Sequence, residues 1–94
     1  MILSFRDTET AHIGSGERSR RLPSDIQNVA LRKLRWLNRA RMLDDLRMPP
    51  GNRLEALKGN RSGQHSIRIN DQWRICFIWI AGGPRDVEIV DYHR

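Results

Sequence analysis

Residues 64–80 read QHSIRINDQWRICFIWI, and this stretch decides the fold. Its first half alternates apolar and polar residues, whereas Trp73–Ile80 is apolar on both faces, which is typical of a central strand. A three-residue turn (70–72) would set Arg68 opposite Arg74 and leave the isoleucines facing each other. A two-residue turn would mix the faces, because one step of slip turns every side chain over. We therefore predict an antiparallel hairpin whose one face packs on a helix and whose other face presents arginines.

The covering helix is predicted upstream of the hairpin. Ser24 follows Pro23 and has Gln27 three residues later, which is the spacing of an N-terminal capping box. Apolar residues then recur at three- and four-residue intervals along one face. They are Ile26, Val29, Ala30, Leu34, Leu37 and Ala40. The pattern predicts a helix from Ser24 to near Leu43.

Shorter elements complete the expected order. Met1–Phe5 fits a first strand, and Thr8–Ile13 fits one or two helical turns with Thr8 as the N-cap. Arg53–Lys58 and Val87–Tyr92 are interpreted as further strands. The fold class is therefore α+β, with an N-terminal strand and one or two helices packed on a small, mostly antiparallel sheet (β-α-α-β-β-β, with or without a further strand).

The chain is short and basic. It has 94 residues and a mass of 11.0 kDa, with 17 Lys plus Arg against 11 Asp plus Glu, so its net charge is +6. This size indicates a single domain (1–94) with one modest core. The positive excess attracts polyanions such as nucleic acid before any specific contact forms. An acidic protein partner fits the same composition.

Cysteine content and hydropathy favour a cytoplasmic protein. Cys76 is the sole cysteine, so no internal disulfide can form, and its apolar neighbours indicate a small core residue. The polar residues that follow Phe5 do not resemble a signal peptide. A membrane span would need a run of ~20 apolar residues, and the sequence has none.

A basic stripe is expected on the long helix. Arg32, Arg35 and Arg39 follow one another at three- and four-residue spacing, on a different side from the apolar face. Such a stripe is usually a solvated helix face. The functional alternative is a contact with nucleic acid or the ribosome.

The C-terminal residues Asp91-Tyr92-His93 combine a carboxylate, a phenol and an imidazole. RNA can be cleaved without a metal when its 2'-hydroxyl attacks the adjacent phosphate, provided that groups are present to move two protons. An imidazole with a pKa of ~6.5 can do either task near neutral pH. Alternation favours Asp91 and His93 as the working pair, with Tyr92 as a stacking or core residue. The alternative is a frayed tail without chemistry.

Several cations could hold the phosphate. Arg74 lies in a central strand, so its charge must be solvated or paired. Its planar fork suits a phosphate, and an ion pair with Asp91 or Glu88 is the competing interpretation. Lys58 could supply a second cation, and Arg61 and Arg68 could guide the RNA.

Cofactor motifs are missing from the sequence. His12, His65 and His93 are far apart, and no Cys/His spacing resembles a zinc site. There is also no glycine-rich phosphate loop and no nucleophile elbow. We expect neither a metal nor another cofactor.

Taken together, several motifs resemble the HigB-type toxins of the RelE superfamily. They are Leu54–Gly59, Ser66–Asn70, Trp73–Ile75 and Asp91–His93, and Ile2–Phe5 and Ser19–Pro23 are also similar. The resemblance spans nearly the whole chain in the family's order. It implies a RelE-like fold and a toxin of a bacterial type II toxin–antitoxin pair. It further implies metal-independent cleavage of translated mRNA in the A site of the small ribosomal subunit. The implied partner is a HigA-type antitoxin with a helix-turn-helix domain, through which the complex binds operator DNA.

The family's catalytic residues fall on Lys58, Arg74, Asp91, Tyr92 and His93. One departure is Glu55, where many relatives have a histidine. Glu55 could act as the base, turnover could be slower, or catalysis could rest on the C-terminal group alone. The alternative function on the same fold is that of the ParE-like inhibitors of DNA gyrase, which do no RNA chemistry. The basic residues and the terminal acid–base group favour the nuclease.

Overall fold

The computed structural model describes residues 1–92 and has two helices beside a four-stranded antiparallel sheet. The elements are α1 (Thr8–Gly14), α2 (Ser24–Arg39), β1 (Glu55–Ala56), β2 (His65–Arg68), β3 (Trp73–Ile80) and β4 (Gly83–Asp91). The strands lie in the order β1-β2-β3-β4, so each strand pairs with its neighbour in sequence. The α+β prediction is confirmed.

The central hairpin has the predicted register. Arg68 lies opposite Arg74 and Ile67 lies opposite Ile75. The three-residue turn is held by Asn70, whose Oδ1 accepts hydrogen bonds from the backbone N–H groups of Gln72 (2.9 Å) and Trp73 (2.8 Å). An asparagine that bonds its own turn in this way favours a turn over an extended strand. This turn therefore sets which side chains share a face.

One sheet face packs against α2 and forms the core. Buried residues of the helix meet buried residues of the three longer strands, so the apolar face predicted from the spacing is the one that is buried. The helix contributes Ile26, Ala30, Leu34 and Leu37, and the sheet contributes Ile67, Ile75, Phe77, Val87 and Ile89. Full burial of one such side chain is worth about 1.5–3 kcal/mol. The opposite sheet face is therefore left for polar groups.

The predicted capping box of α2 is wrong. Pro23 is the N-cap residue, and no side chain caps the helix. Gln27 turns inward instead: its Oε1 accepts from Ser19 N (2.9 Å), and its Nε2 donates to the carbonyls of Ser19 and Leu22 (both 2.8 Å). Its amide satisfies buried backbone groups of the preceding connector, and a buried backbone group without a partner is costly. Gln27 therefore bonds these buried backbone groups instead of capping α2.

The other helix ends also differ from the prediction. In α1 the N-cap is Asp7 rather than Thr8, because the Asp7 carboxylate accepts from Thr10 N at 2.7 Å. The long helix ends at Arg39 instead of near Leu43. Beyond it, Asp45 Oδ2 accepts from the backbone N–H groups of residues 41 and 42 and starts a separate 3-10 turn at 43–47. Local capping by this carboxylate ends the regular helix early.

Met1–Phe5 is not a regular strand, contrary to the prediction. The segment is extended and touches β4 through a single parallel bridge between Phe5 and Val87. Leu3 N donates to the carbonyl of Pro84 at 2.8 Å, and Val87 N donates to the carbonyl of Ser4 at 3.1 Å. A β-bulge near Cys76–Ile78 interrupts the pairing of β3 with β4 in this region. A bulge bends its strand, so only part of the segment follows the edge.

Two strand bounds were also predicted wrongly. The strand expected over Arg53–Lys58 shrinks to Glu55–Ala56, because a 3-10 turn (Pro50–Asn52) runs up to it and Gly59–Arg61 forms another. The last strand begins at Gly83 rather than Val87. Residues 81 and 82 alone make the turn, so the glycine and proline that follow are part of the strand.

Asn52 holds the backbone of the connection that leads into β1, and we expect its replacement to lower the stability of the fold. It is fully buried; its Nδ2 donates to the carbonyls of Leu46 (3.2 Å) and Met48 (3.3 Å), and its Oδ1 accepts from Lys33 Nζ. Asn52→Ala leaves these groups unsatisfied and should lower the free energy of unfolding by ~1–3 kcal/mol. Urea denaturation measures this, with the exposed Asn60→Ala as the matched control. Equal stability of the two variants would contradict the expectation.

Candidate active site

Arg74 is buried on the sheet face opposite α2 and is held by two hydrogen bonds. Only 7% of the residue is exposed. Its Nε donates to Ser66 Oγ at 2.7 Å, and its Nη2 donates to the carbonyl of Arg53 at 2.6 Å. Arg53 has a left-handed backbone (φ 46°), which turns that carbonyl toward the guanidinium. The side chain is therefore fixed in direction before any ligand binds.

A carboxylate and an aromatic ring flank this guanidinium. Glu55 Oε1 lies 3.9 Å from Arg74 Nη2, with 38% of the glutamate side chain exposed. The guanidinium carbon lies 6.0 Å from the centroid of the Tyr92 ring, which is a cation–π distance. Tyr92 thus lies with Arg74 on the sheet face opposite the core, and its role in stacking stays a prediction.

Tyr92 lines two neighbouring cavities. The first has a volume of about 250 Å³ and is also lined by Arg53, Glu55, Arg68 and Arg74. The second has a volume of about 310 Å³ and brings Tyr92 together with Lys58, Asn60, Arg61, Val90 and Asp91. Five of the six residues that the sequence suggested for catalysis therefore line this pair of cavities. The sixth, His93, lies outside the described residues.

Arg61 is anchored at the second cavity by Glu88. Its Nη1 donates to Glu88 Oε1 at 2.7 Å and to Gln64 Oε1 at 3.0 Å. The Glu88 side chain is only 15% exposed, and Arg6 Nε lies 3.7 Å from its other oxygen. The hydrogen bond that Arg61 donates to Glu88 raises the pKa of the Arg61 guanidinium, so this arginine remains charged. Arg61 is a preset positive charge beside Lys58 and Tyr92.

Asp91 and Arg68 are each engaged at the edge of the cavities. Asp91 Oδ2 accepts from Gln72 Nε2 at 3.1 Å, and by alternation its side chain leaves the strand on the opposite face from Tyr92. Arg68 Nη2 pairs with Asp71 Oδ1 at 2.5 Å and remains 32% exposed. Asp91 lines the second cavity, and Arg68 and Asp71 line the first. The pairing of Asp91 with His93 cannot be placed within residues 1–92.

Cys76 lies on the same face and behaves as core. It is fully buried opposite Glu88 in the strand register. Burial raises the pKa of its thiol to about 11. A thiol with that pKa stays protonated near neutral pH, which makes it a poor nucleophile. The interpretation of Cys76 as a small core residue agrees with this environment.

The arginine stripe of α2 lies apart from these cavities. Arg32, Arg35 and Arg39 line a different, larger groove against the N-terminal segment. Arg39 also lies over the Trp36 ring, 6.0 Å from its centroid. The ribosome contact expected for the stripe stays a prediction.

A family model described as "RelE-like toxin of type II toxin-antitoxin system HigB" matches residues 3–93. Toxin HigB-1 of Vibrio cholerae serotype O1 is 45% identical over 83 residues, which is 87% of each chain. An uncharacterized protein of Haemophilus influenzae is 36% identical over 62 residues, covering 66% of this chain and 61% of that protein.

The chain belongs to the HigB family of RelE-like toxins. The match extends over both helices, the sheet and every candidate site residue. Membership makes the protein a toxin of a type II toxin–antitoxin system and implies an antitoxin partner. The resemblance noted from the sequence motifs is therefore confirmed.

Two positioning groups of this HigB-type toxin were missed in the sequence. Ser66 could have been found, because the predicted register places it diagonally from Arg74 on the same face, within reach of a long side chain. The Arg53 carbonyl could not, because a left-handed conformation at a non-glycine residue has no clear sequence signal. The sequence also offered Glu88 only as a partner for Arg74, whereas the structure pairs it with Arg61.

The described part of the toxin gives no support for a metal centre or a membrane span. Within residues 1–92, no three His, Cys, Asp or Glu side chains are grouped so that they could hold a metal ion. None of the helices in that range combines the length and apolarity that crossing a bilayer requires.

Glu88→Ala is expected to weaken growth inhibition by the toxin by about tenfold, because Arg61 loses the carboxylate that orients it at the second cavity. Glu88→Gln keeps an acceptor and should retain most of the activity. Growth inhibition at graded expression levels measures the difference, and the exposed Glu17→Ala is the control. Equal losses in the two Glu88 variants would show that the charge matters more than the position of Arg61.

Proposed function

We propose that this HigB-type toxin is a metal-independent endoribonuclease that cuts translated mRNA in the A site of the small ribosomal subunit. The observation that carries the proposal is the fixed Arg74 guanidinium between Glu55 and Tyr92, with Lys58 and Arg61 in the adjoining cavity. Fixed positive charges of this kind stabilise the extra negative charge that forms on phosphorus during cleavage.

The proposed reaction needs no external nucleophile. The 2'-oxygen of one nucleotide attacks its own 3'-phosphate and loses its proton to a base. The bond from phosphorus to the 5'-oxygen breaks, and that oxygen takes up a proton. The products are a 2',3'-cyclic phosphate and a 5'-hydroxyl, so atoms and charge balance.

Roles are proposed for each residue from its surroundings. Arg74 and Lys58 bind the phosphate oxygens, because each lines one of the two cavities beside Tyr92. The Tyr92 ring stacks on a base and so holds the linkage between the two cations. Glu55 has an exposed carboxylate next to Arg74 and is the candidate base at the position where relatives carry histidine.

The remaining proton transfer is assigned by family resemblance to the C-terminal pair. Asp91 orients the imidazole of His93, and His93 protonates the departing 5'-oxygen. Arg61 and Arg68 guide the RNA into the cavities, since both stay partly exposed while each is paired with a carboxylate.

The proposed partners follow from the same function. They are the ribosome with its mRNA, and a HigA-type antitoxin with a helix-turn-helix domain that carries the complex to operator DNA. The place of action is then the cytoplasm, where translation occurs.

Mapping RNA 5' ends in cells after brief expression of the toxin tests the proposal. We expect new ends inside translated codons, dependent on ongoing translation and removed by His93→Ala. The control is Arg85→Ala, an exposed arginine on β4 that lines neither cavity. DNA damage without RNA cuts would overturn the nuclease and point to gyrase inhibition.

A further inference from the structure

A groove larger than the two cavities lies elsewhere on the described chain, and it shares no lining residue with them. It has a volume of about 840 Å³ and runs between the N-terminal segment and the outer side of α2. Its walls include the apolar side chains of Ile2, Phe5 and Leu31, and the arginines 32, 35 and 39 follow its length on the helix. None of the residues lining it within 1–92 is acidic.

Hydrogen bonds fix the position of the N-terminal segment, which forms one wall of the groove. Ile2 N donates to Asn38 Oδ1 on α2 at 2.8 Å, which fastens one wall to the other. On its other side the segment is bonded to β4 through Leu3 and Ser4. When a partner binds a preformed site, less conformational entropy is lost than when the site must first become ordered.

Charge and apolarity together indicate the kind of partner. The three arginines lie in a groove whose lining within residues 1–92 has no acidic side chain, so they attract negative charge, which both RNA and an acidic protein can supply. The backbone phosphates of RNA, however, make no favourable contact with a wall of isoleucine, phenylalanine and leucine side chains. Apolar side chains of a protein segment would bury that wall, and such burial is the main source of affinity in protein interfaces.

We propose that this groove docks an acidic amphipathic segment of the antitoxin. Apolar side chains of the segment pack on Ile2, Phe5 and Leu31, and its carboxylates pair with Arg32, Arg35 and Arg39. These arginines are spaced by three and four residues on one helix, so they present a row of charge about 10 Å long. The inference rests on the toxin–antitoxin part of the proposed function and not on RNA cleavage.

The first test reverses charge at the groove. Arg32→Glu combined with Arg35→Glu is expected to weaken binding of the purified antitoxin by ~100-fold at low salt, with a smaller loss at high salt where the pairs are screened. The matched control is Arg20→Glu with Arg41→Glu, which changes the same net charge at exposed positions outside the groove. Surface biosensor titrations measure both variants.

A second variant tests the apolar part without changing charge. Asn28 is exposed and lines the groove, so Asn28→Trp should fill it and weaken antitoxin binding by at least about tenfold while the thermal unfolding curve is kept. Its control is Ser62→Trp, an exposed position that lines neither the groove nor the two cavities.

Ribosome binding of the same variants distinguishes the rival occupant. Loss of affinity for ribosomes in the double Arg32/Arg35 variant, with antitoxin binding at the control's level, would overturn the proposal in favour of an RNA surface. Unchanged binding to both would show a solvated face and would overturn it as well. Groove-dependent antitoxin binding by a toxin that cuts no mRNA would leave this inference standing and remove the nuclease.

Discussion

Replacing Arg74 by lysine is expected to reduce mRNA cleavage by ~10²–10³-fold, the usual loss when a preset charge is removed from a transition state. Lysine keeps the positive charge, but it has no planar fork. It cannot bond Ser66 Oγ and the Arg53 carbonyl together while still pointing into the cavity shared with Tyr92. Position, rather than charge alone, is therefore what the substitution removes.

The measurement must separate chemistry from folding. Ser66 is fully buried, so losing its partner costs stability, by roughly 1–3 kcal/mol. Cleavage rates on programmed ribosomes should therefore be read beside thermal unfolding curves, with Arg85→Lys as an exposed control. Ser66→Ala keeps the Arg74 guanidinium but removes the acceptor of its Nε. Its cleavage rate should lie between those of Arg74→Lys and Arg85→Lys. Near-normal cleavage by a folded Arg74→Lys toxin would remove Arg74 from the catalytic group.

The register of the central hairpin could be predicted because the alternation of β2 and the odd-numbered turn leave one arrangement of faces. That register already placed Arg74 on a polar face with Arg68. The environment of Arg74 could not be predicted, since it depends on the left-handed Arg53 and on Glu55 in a two-residue strand. Both are set by packing of the 50–56 connection, for which no periodic pattern exists.

The helix ends could not be predicted for a related reason. Ser24 and Gln27 have the spacing of a capping box, but Gln27 has a stronger use in satisfying Ser19 and Leu22. The site residues were suggested by chemistry and by family resemblance, and five of them line adjoining cavities. Whether they act together as proposed stays a prediction.

Gly83→Ala is expected to be the most destabilising substitution at the edge of the sheet. A Cβ at this position would lie 2.2 Å from the carbonyl oxygen of Met1, and the backbone has φ +138°. Gly82 is the matched control, because it also has positive φ (+98°) but its Cβ would meet only the Leu3 side chain at 3.8 Å. Each alanine should cost on the order of 1–3 kcal/mol for backbone strain. Any larger loss in Gly83→Ala then measures the collision.

The collision should be relieved by moving the N-terminal segment, since Met1 is 72% exposed and α2 and β3 are packed in the core. That movement breaks the bond from Leu3 N to the Pro84 carbonyl and shifts Ile2, which forms a wall of the groove on α2. Gly83→Ala should therefore weaken antitoxin binding more than Gly82→Ala does. Shortening the chain by two residues at its N-terminus should erase the difference in unfolding free energy between the two variants, measured by urea denaturation. If the difference persists, the close approach of Met1 to Gly83 is not its cause.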